Sequence, residues 1–115
     1  MFVTKEFTFD AAHKLTKYHG KCEKLHGHTY KLQVTVEGQP DDEGMVMDFV
    51  ELKTLVTKKV LDKLDHSYLN DLLENPSAEN IAVWIWEQLK NDVKGNLYEV
   101  KLWETPTSFV TYRGK

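Results

Sequence analysis

From His28 to Glu37 apolar and polar residues alternate without a break: Tyr30, Leu32, Val34 and Val36 stand between Thr29, Lys31, Gln33, Thr35 and Glu37. A two-residue period marks a strand with one buried face, because successive side chains point to opposite sides of a sheet. The same period runs upstream into Cys22-Glu-Lys-Leu-His26-Gly-His28, where the two histidines continue the apolar row. A second alternating run, Phe2 to His13, sets Val3, Phe7, Phe9, Ala11 and His13 on one parity. If the two strands pair as a hairpin through residues 14 to 25, the end of the first meets the start of the second. His13, His26 and His28 then converge, and the connection brings Cys22 over them.

Three neutral imidazoles suit zinc, and a three-ligand set leaves the fourth tetrahedral position to water or substrate, as in catalytic sites. Two other readings of these residues stand beside it. Cys22 as fourth ligand would close a structural site, and HGH without metal would be only a turn-to-strand junction.

At 115 residues the chain fits one domain, residues 1–115. A net charge of −3, from 15 basic and 18 acidic residues interspersed along the sequence, gives no electrostatic case for nucleic acid or an anionic membrane. The expected partner is a small molecule. A single cysteine excludes an internal disulfide framework, and Met-Phe-Val-Thr-Lys-Glu at the N-terminus lacks the pattern of a signal peptide. No apolar run approaches membrane-spanning length, so a cytoplasmic location is expected.

Beyond the first two strands, Gln39-Pro-Asp-Asp-Glu-Gly44 is a cluster of turn formers. Asp48 reads as a helix N-cap with Glu51 as its capping-box partner, and Phe49, Leu52, Val56, Val60 and Leu64 mark one face of a helix from about Phe49 to Lys63. Ser77 caps a second helix with Ile81, Ile85, Leu89 and Val93 in register and Gly95 as its stop. Tyr98, Val100, Leu102 and Glu104 form the inner row of a third strand, and Phe109 to Arg113 a fourth. The order ββααββ predicts an α+β fold: an antiparallel four-stranded sheet with two helices on one face. Its other face and edges would be bare, and joining sheets in a homo-oligomer would cover them.

Three further places carry chemistry. Asp65-His66 is either an ordinary helix end or an acid–base imidazole oriented by a carboxylate. Glu104 falls on the apolar parity of its strand, which points to an ion pair or a ligand anchor. Capping accounts for Ser77 and Glu79, and the rings of Trp84, Trp86 and Trp103 read as packing or subunit interface.

Taken in order, Ala12-His13, Cys22 to His28, Gly44-Met45-Val46 with Asp48-Phe49, Leu64-Asp65-His66, Ser77 to Asn80 and Trp103-Glu104-Thr105 resemble the 6-pyruvoyl-tetrahydropterin synthases and their bacterial relatives, the 6-carboxy-tetrahydropterin synthases of queuosine biosynthesis. The resemblance spans nearly the whole chain. It implies the tunnelling fold, whose sheets join into an oligomeric barrel, a trimer or a dimer of trimers. It also implies Zn2+ on His13, His26 and His28, Cys22 as catalytic base, and Asp65 and His66 completing a relay for the Cys22 of a neighbouring chain. Glu104 would anchor the pterin ring, with Ser77 and Glu79 touching it from a neighbouring subunit. The three-residue gap between Cys22 and His26 resembles the queuosine-pathway subgroup. For that subgroup the resemblance implies conversion of 7,8-dihydroneopterin triphosphate to 6-carboxy-tetrahydropterin, acetaldehyde and triphosphate. A pyruvoyl-type synthase, which keeps all three side-chain carbons, and a non-catalytic zinc-stabilised binding module are the alternatives.

Overall fold

The computed structural model of the chain describes residues 1–17 and 24–115. Strands β1 (Phe2–His13) and β2 (His26–Glu37) form the expected hairpin, paired without interruption from Phe2 opposite Glu37 to His13 opposite His26. Strand β2 pairs on its other side with β4 (Asn96–Thr105), which turns back into β5 (Ser108–Tyr112). The sheet is five-stranded and mixed rather than four-stranded and antiparallel. Between the helices, β3 (Ser67–Tyr68) lies parallel to the end of β1, giving the order β3-β1-β2-β4-β5.

One helical stretch spans residues 49–64 and changes pitch along its length. It runs as α1 (Phe49–Val56), a π-helical turn (Thr57–Leu61) and α2 (Asp62–Leu64). Leu52, Val56, Val60 and Leu64 are all fully buried. Residues spaced by four drift about 40° per step on a helix of 3.6 residues per turn. The wider π turn absorbs that drift and keeps Leu64 on the core side. Asp48 caps the start by accepting from the Val50 N–H, whereas Glu51 pairs with Lys94 and Phe49 stays exposed.

Helix α3 (Ala78–Leu89) is capped by Ser77, whose Oγ accepts from the Asn80 N–H, and buries Ile81, Ile85 and Leu89. It ends at Leu89, short of Gly95. That glycine instead opens β4 with φ +72°, and a Cβ there would lie 2.3 Å from the Glu37 carbonyl oxygen. A bulge between Thr35 and Val36 then shifts the register of β4, so Leu97 rather than Tyr98 joins Val100 and Leu102 in the core. Tyr98 packs on Phe2 instead.

The core lies between the helices and the row Phe9, Ala11, Tyr30, Leu32, Val34, Val36, Val100 and Leu102. Full burial of one such aliphatic side chain contributes about 1.5–3 kcal/mol. The opposite parity of β1 is polar apart from Phe2 and Ala12: Thr4, Glu6, Thr8 and Asp10 are all exposed. Among the described residues, no helix is long and apolar enough to cross a membrane.

Candidate metal centre

The unbroken register of the hairpin brings three histidines together. His13 faces His26 across the last pair, and His28 sits one position inward along the same row, opposite Ala11. His13 is fully buried, and its Nε2 lies 3.1 Å from that of His26. Glu104, one step beyond Leu102 on the core parity of β4, brings its Oε1 to 3.0 Å from His28 Nε2 and 3.7 Å from His13 Nε2. The four donor atoms all lie within 4.8 Å of one another.

The outer nitrogens fix the tautomers. His13 Nδ1 is 2.7 Å from the Pro76 carbonyl oxygen and His26 Nδ1 is 2.8 Å from that of Lys24. A carbonyl only accepts, so each Nδ1 carries the proton and donates it, leaving a lone pair on each Nε2. In neutral rings of these tautomers both Nε2 atoms, 3.1 Å apart, turn their lone pairs into the cluster, where a cation could be held by both. Ligands bound at 2.0–2.1 Å around a tetrahedral ion stand about 3.3 Å apart, close to the spacings here. The residues therefore fit a metal ion. Tyr30, fully buried, stacks on Phe9 and brings its hydroxyl to 3.4 Å from His13 Nδ1. Burial, and secondarily the charge of Glu104, push its phenol well above the usual tyrosine range, so it stays neutral.

Asp65 and His66 gather elsewhere, around Asp10 on the polar side of β1. Helix α2 ends at Leu64, and His66 adopts φ +57°, a left-handed conformation that is uncommon outside glycine. The two segments clamp each other: the His66 N–H donates to the Asp10 carbonyl at 2.6 Å, and the Asp10 N–H donates to the side-chain Oδ1 of Asp65 at 3.0 Å. Asp65 Oδ1 also lies 3.1 Å from Nδ1 of the exposed His66. The Asp10 amide, followed by the His66 imidazole, holds the Asp65 carboxyl below the ordinary carboxylate range. It is thus ionised at neutral pH and orients the imidazole.

The structure brings together His13, His26, His28 and Glu104, and separately Asp65 and His66. Ser77 acts as a helix cap and Glu79 is exposed in the first turn of α3. Cys22 lies outside the described residues. Sequence reasoning missed the carbonyls of Pro76 and Lys24, which orient the rings of His13 and His26, because a backbone carbonyl leaves no mark in residue identity.

The match to the family described as 6-pyruvoyl tetrahydropterin synthase covers residues 2–115, and the chain belongs to that family. It is 40% identical over 137 aligned residues to the 6-carboxy-5,6,7,8-tetrahydropterin synthase of Haemophilus influenzae, covering 96% of this chain and 97% of the relative. To the 6-pyruvoyl tetrahydrobiopterin synthase of Dictyostelium discoideum it is also 40% identical, over 131 aligned residues covering 100% of this chain and 97% of the other. The solved structure of the Caenorhabditis elegans 6-pyruvoyl tetrahydropterin synthase superposes with a TM-score of 0.87 at 32% identity, covering 100% of this chain and 96% of that one.

Proposed function

We propose that the chain is a zinc-dependent 6-carboxy-5,6,7,8-tetrahydropterin synthase. It would convert 7,8-dihydroneopterin triphosphate and water to 6-carboxy-tetrahydropterin, acetaldehyde and triphosphate in queuosine biosynthesis. The observation that carries this reading is the convergence of His13, His26 and His28 in a member of this family. Zinc on these three nitrogens would supply a Lewis acid to the substrate's side-chain hydroxyls and to charge developing at the adjacent carbon.

The chain's own residues do the rest. His13 and His26 hold their metal-facing lone pairs in place by donating their Nδ1 protons to backbone carbonyls. Cys22 takes the proton from the side-chain carbon. A free thiol titrates at about 8.5, and a neighbouring imidazolium lowers that towards neutrality. His66, held by ionised Asp65, is the acid–base partner, supplied to a site by another copy in a trimer or a dimer of trimers. Glu104 accepts hydrogen bonds from the pterin ring, with Ser77 and Glu79 contributing from a neighbouring subunit.

The identity to the Dictyostelium relative supports a second reading, a pyruvoyl-type synthase that eliminates triphosphate and keeps the three side-chain carbons. The three-residue gap between Cys22 and His26 favours the carboxy product. Incubation of purified, zinc-loaded protein with 7,8-dihydroneopterin triphosphate, followed by mass measurement, separates the readings. Acetaldehyde with 6-carboxy-tetrahydropterin supports the first, and a product retaining three side-chain carbons supports the second. No turnover, with unfolding on chelation, supports a zinc-stabilised binding module.

A further inference from the structure

Strand β1 does not lose its edge partner where β3 ends. The β3 pairing stops at Ala12 opposite Tyr68, and two residues later the side chain of Asn70 takes over. Its Oδ1 accepts from the Lys14 N–H at 2.9 Å and its Nδ2 donates to the Lys14 carbonyl at 2.9 Å. A side-chain amide that satisfies both backbone groups of one residue substitutes for a strand residue, and only an amide carries donor and acceptor together in that geometry. Asn70 has a firm base, because it belongs to a 3-10 turn (Leu69–Asp71) whose Leu69 is fully buried. Farther along, Asn75 Oδ1 accepts from the Thr16 N–H at 3.1 Å, and the next residue, Pro76, receives the His13 Nδ1 proton.

His13 is thereby held on both sides: its ring through Pro76, and the backbone just after it through Asn70. We propose that Asn70 is a positioning residue of the metal centre, acting on His13 through the backbone of Lys14. The inference rests on the metal reading of the three histidines but not on the reaction assigned to them.

The probe is zinc itself, competed against a chromophoric chelator at a temperature well below the melting transition of each protein. Asn70→Asp keeps the size and the acceptor but removes the donor and sets a carboxylate against the Lys14 carbonyl. Supporting groups around metal ligands are worth about 10–100-fold in metal affinity, and an indirect one belongs at the lower end, so a loss of about tenfold is expected. Asn75→Asp adds the same charge to the same segment while keeping the oxygen that accepts from Thr16, and should bind zinc within about twofold of the parent. Parental zinc affinity in a folded Asn70→Asp protein overturns the proposal, as does an equal loss in both variants. If Asn70→Asp does not fold, the parent decides. Coupling is reciprocal, so zinc loading must slow amide exchange at Lys14. Exchange at Lys14 indifferent to zinc overturns the proposal. A parent that binds no zinc overturns the metal reading instead.

Discussion

At the scale of single residues, the site depends on which atom of each side chain faces inward. His28→Ala should abolish zinc binding, since two imidazoles make a poor site, while Cys22→Ala should keep zinc and lose turnover. Elemental analysis checks both, and zinc loss from Cys22→Ala would instead make the thiol a ligand. Glu104→Gln keeps the shape of the side chain but places a donor where a carboxylate accepted. It should retain its zinc and raise KM for the pterin at least about tenfold. Metal loss in that variant would make Glu104 the fourth ligand. Asp65 offers a test by pH. Its folded-state pKa is depressed, so its contribution to stability is present above the unfolded value of about 3.9 and is lost as pH falls through the folded value. Melting curves of the parent and Asp65→Asn should therefore differ at neutral pH and draw together in acid. A gap that persists unchanged in acid would show that ionisation of Asp65 contributes nothing.

At the scale of elements, the join between the hairpin and β4 depends on Gly95, whose φ of +72° and 2.3 Å Cβ approach to the Glu37 carbonyl leave no room for a side chain. Gly95→Ala should lose at least about 1–2 kcal/mol, the cost of a left-handed conformation for an L-residue before any clash is counted. Urea unfolding would measure it, and an unchanged midpoint would show that the turn relaxes freely. The same elements show what the sequence made legible. Alternation carried the whole β1–β2 hairpin and the convergence of three histidines, and the parity of Leu102 carried Glu104, because a buried face writes its period into residue identity. Strand β3 was not legible, since two residues hold no period, and neither was the π turn, which hides inside a spacing of four. The bulge that displaces Tyr98 is a property of the pairing between β2 and β4, so nothing within β4 alone announces it. Asp65 and His66 were visible as a pair, but the clamp joins Asp65 to the backbone N–H of Asp10, 55 positions away, a group that residue identity does not mark.

At the scale of the whole molecule, the candidate metal cluster includes His13 on the core parity of β1, and the Asp65–His66 pair gathers around the outward carboxylate of Asp10 on the same strand. If the relay is completed between copies, Cys22→Ala and His66→Ala should complement each other. Random mixing leaves each required residue intact with a chance of about one half, so refolding the two together should restore about a quarter of the sites. Mixed oligomers, verified by mass, that stay inactive would confine the relay to one chain. The uninterrupted hairpin has a consequence of its own. Sliding β2 by two residues would keep every side chain on its proper face, so hydrophobic burial alone discriminates poorly against that misalignment. Such a slip would set His13 opposite His28 or push it beyond His26. An ion held by these histidines would do for this hairpin what a keyed connector does for a plug, accepting one alignment among several that otherwise fit.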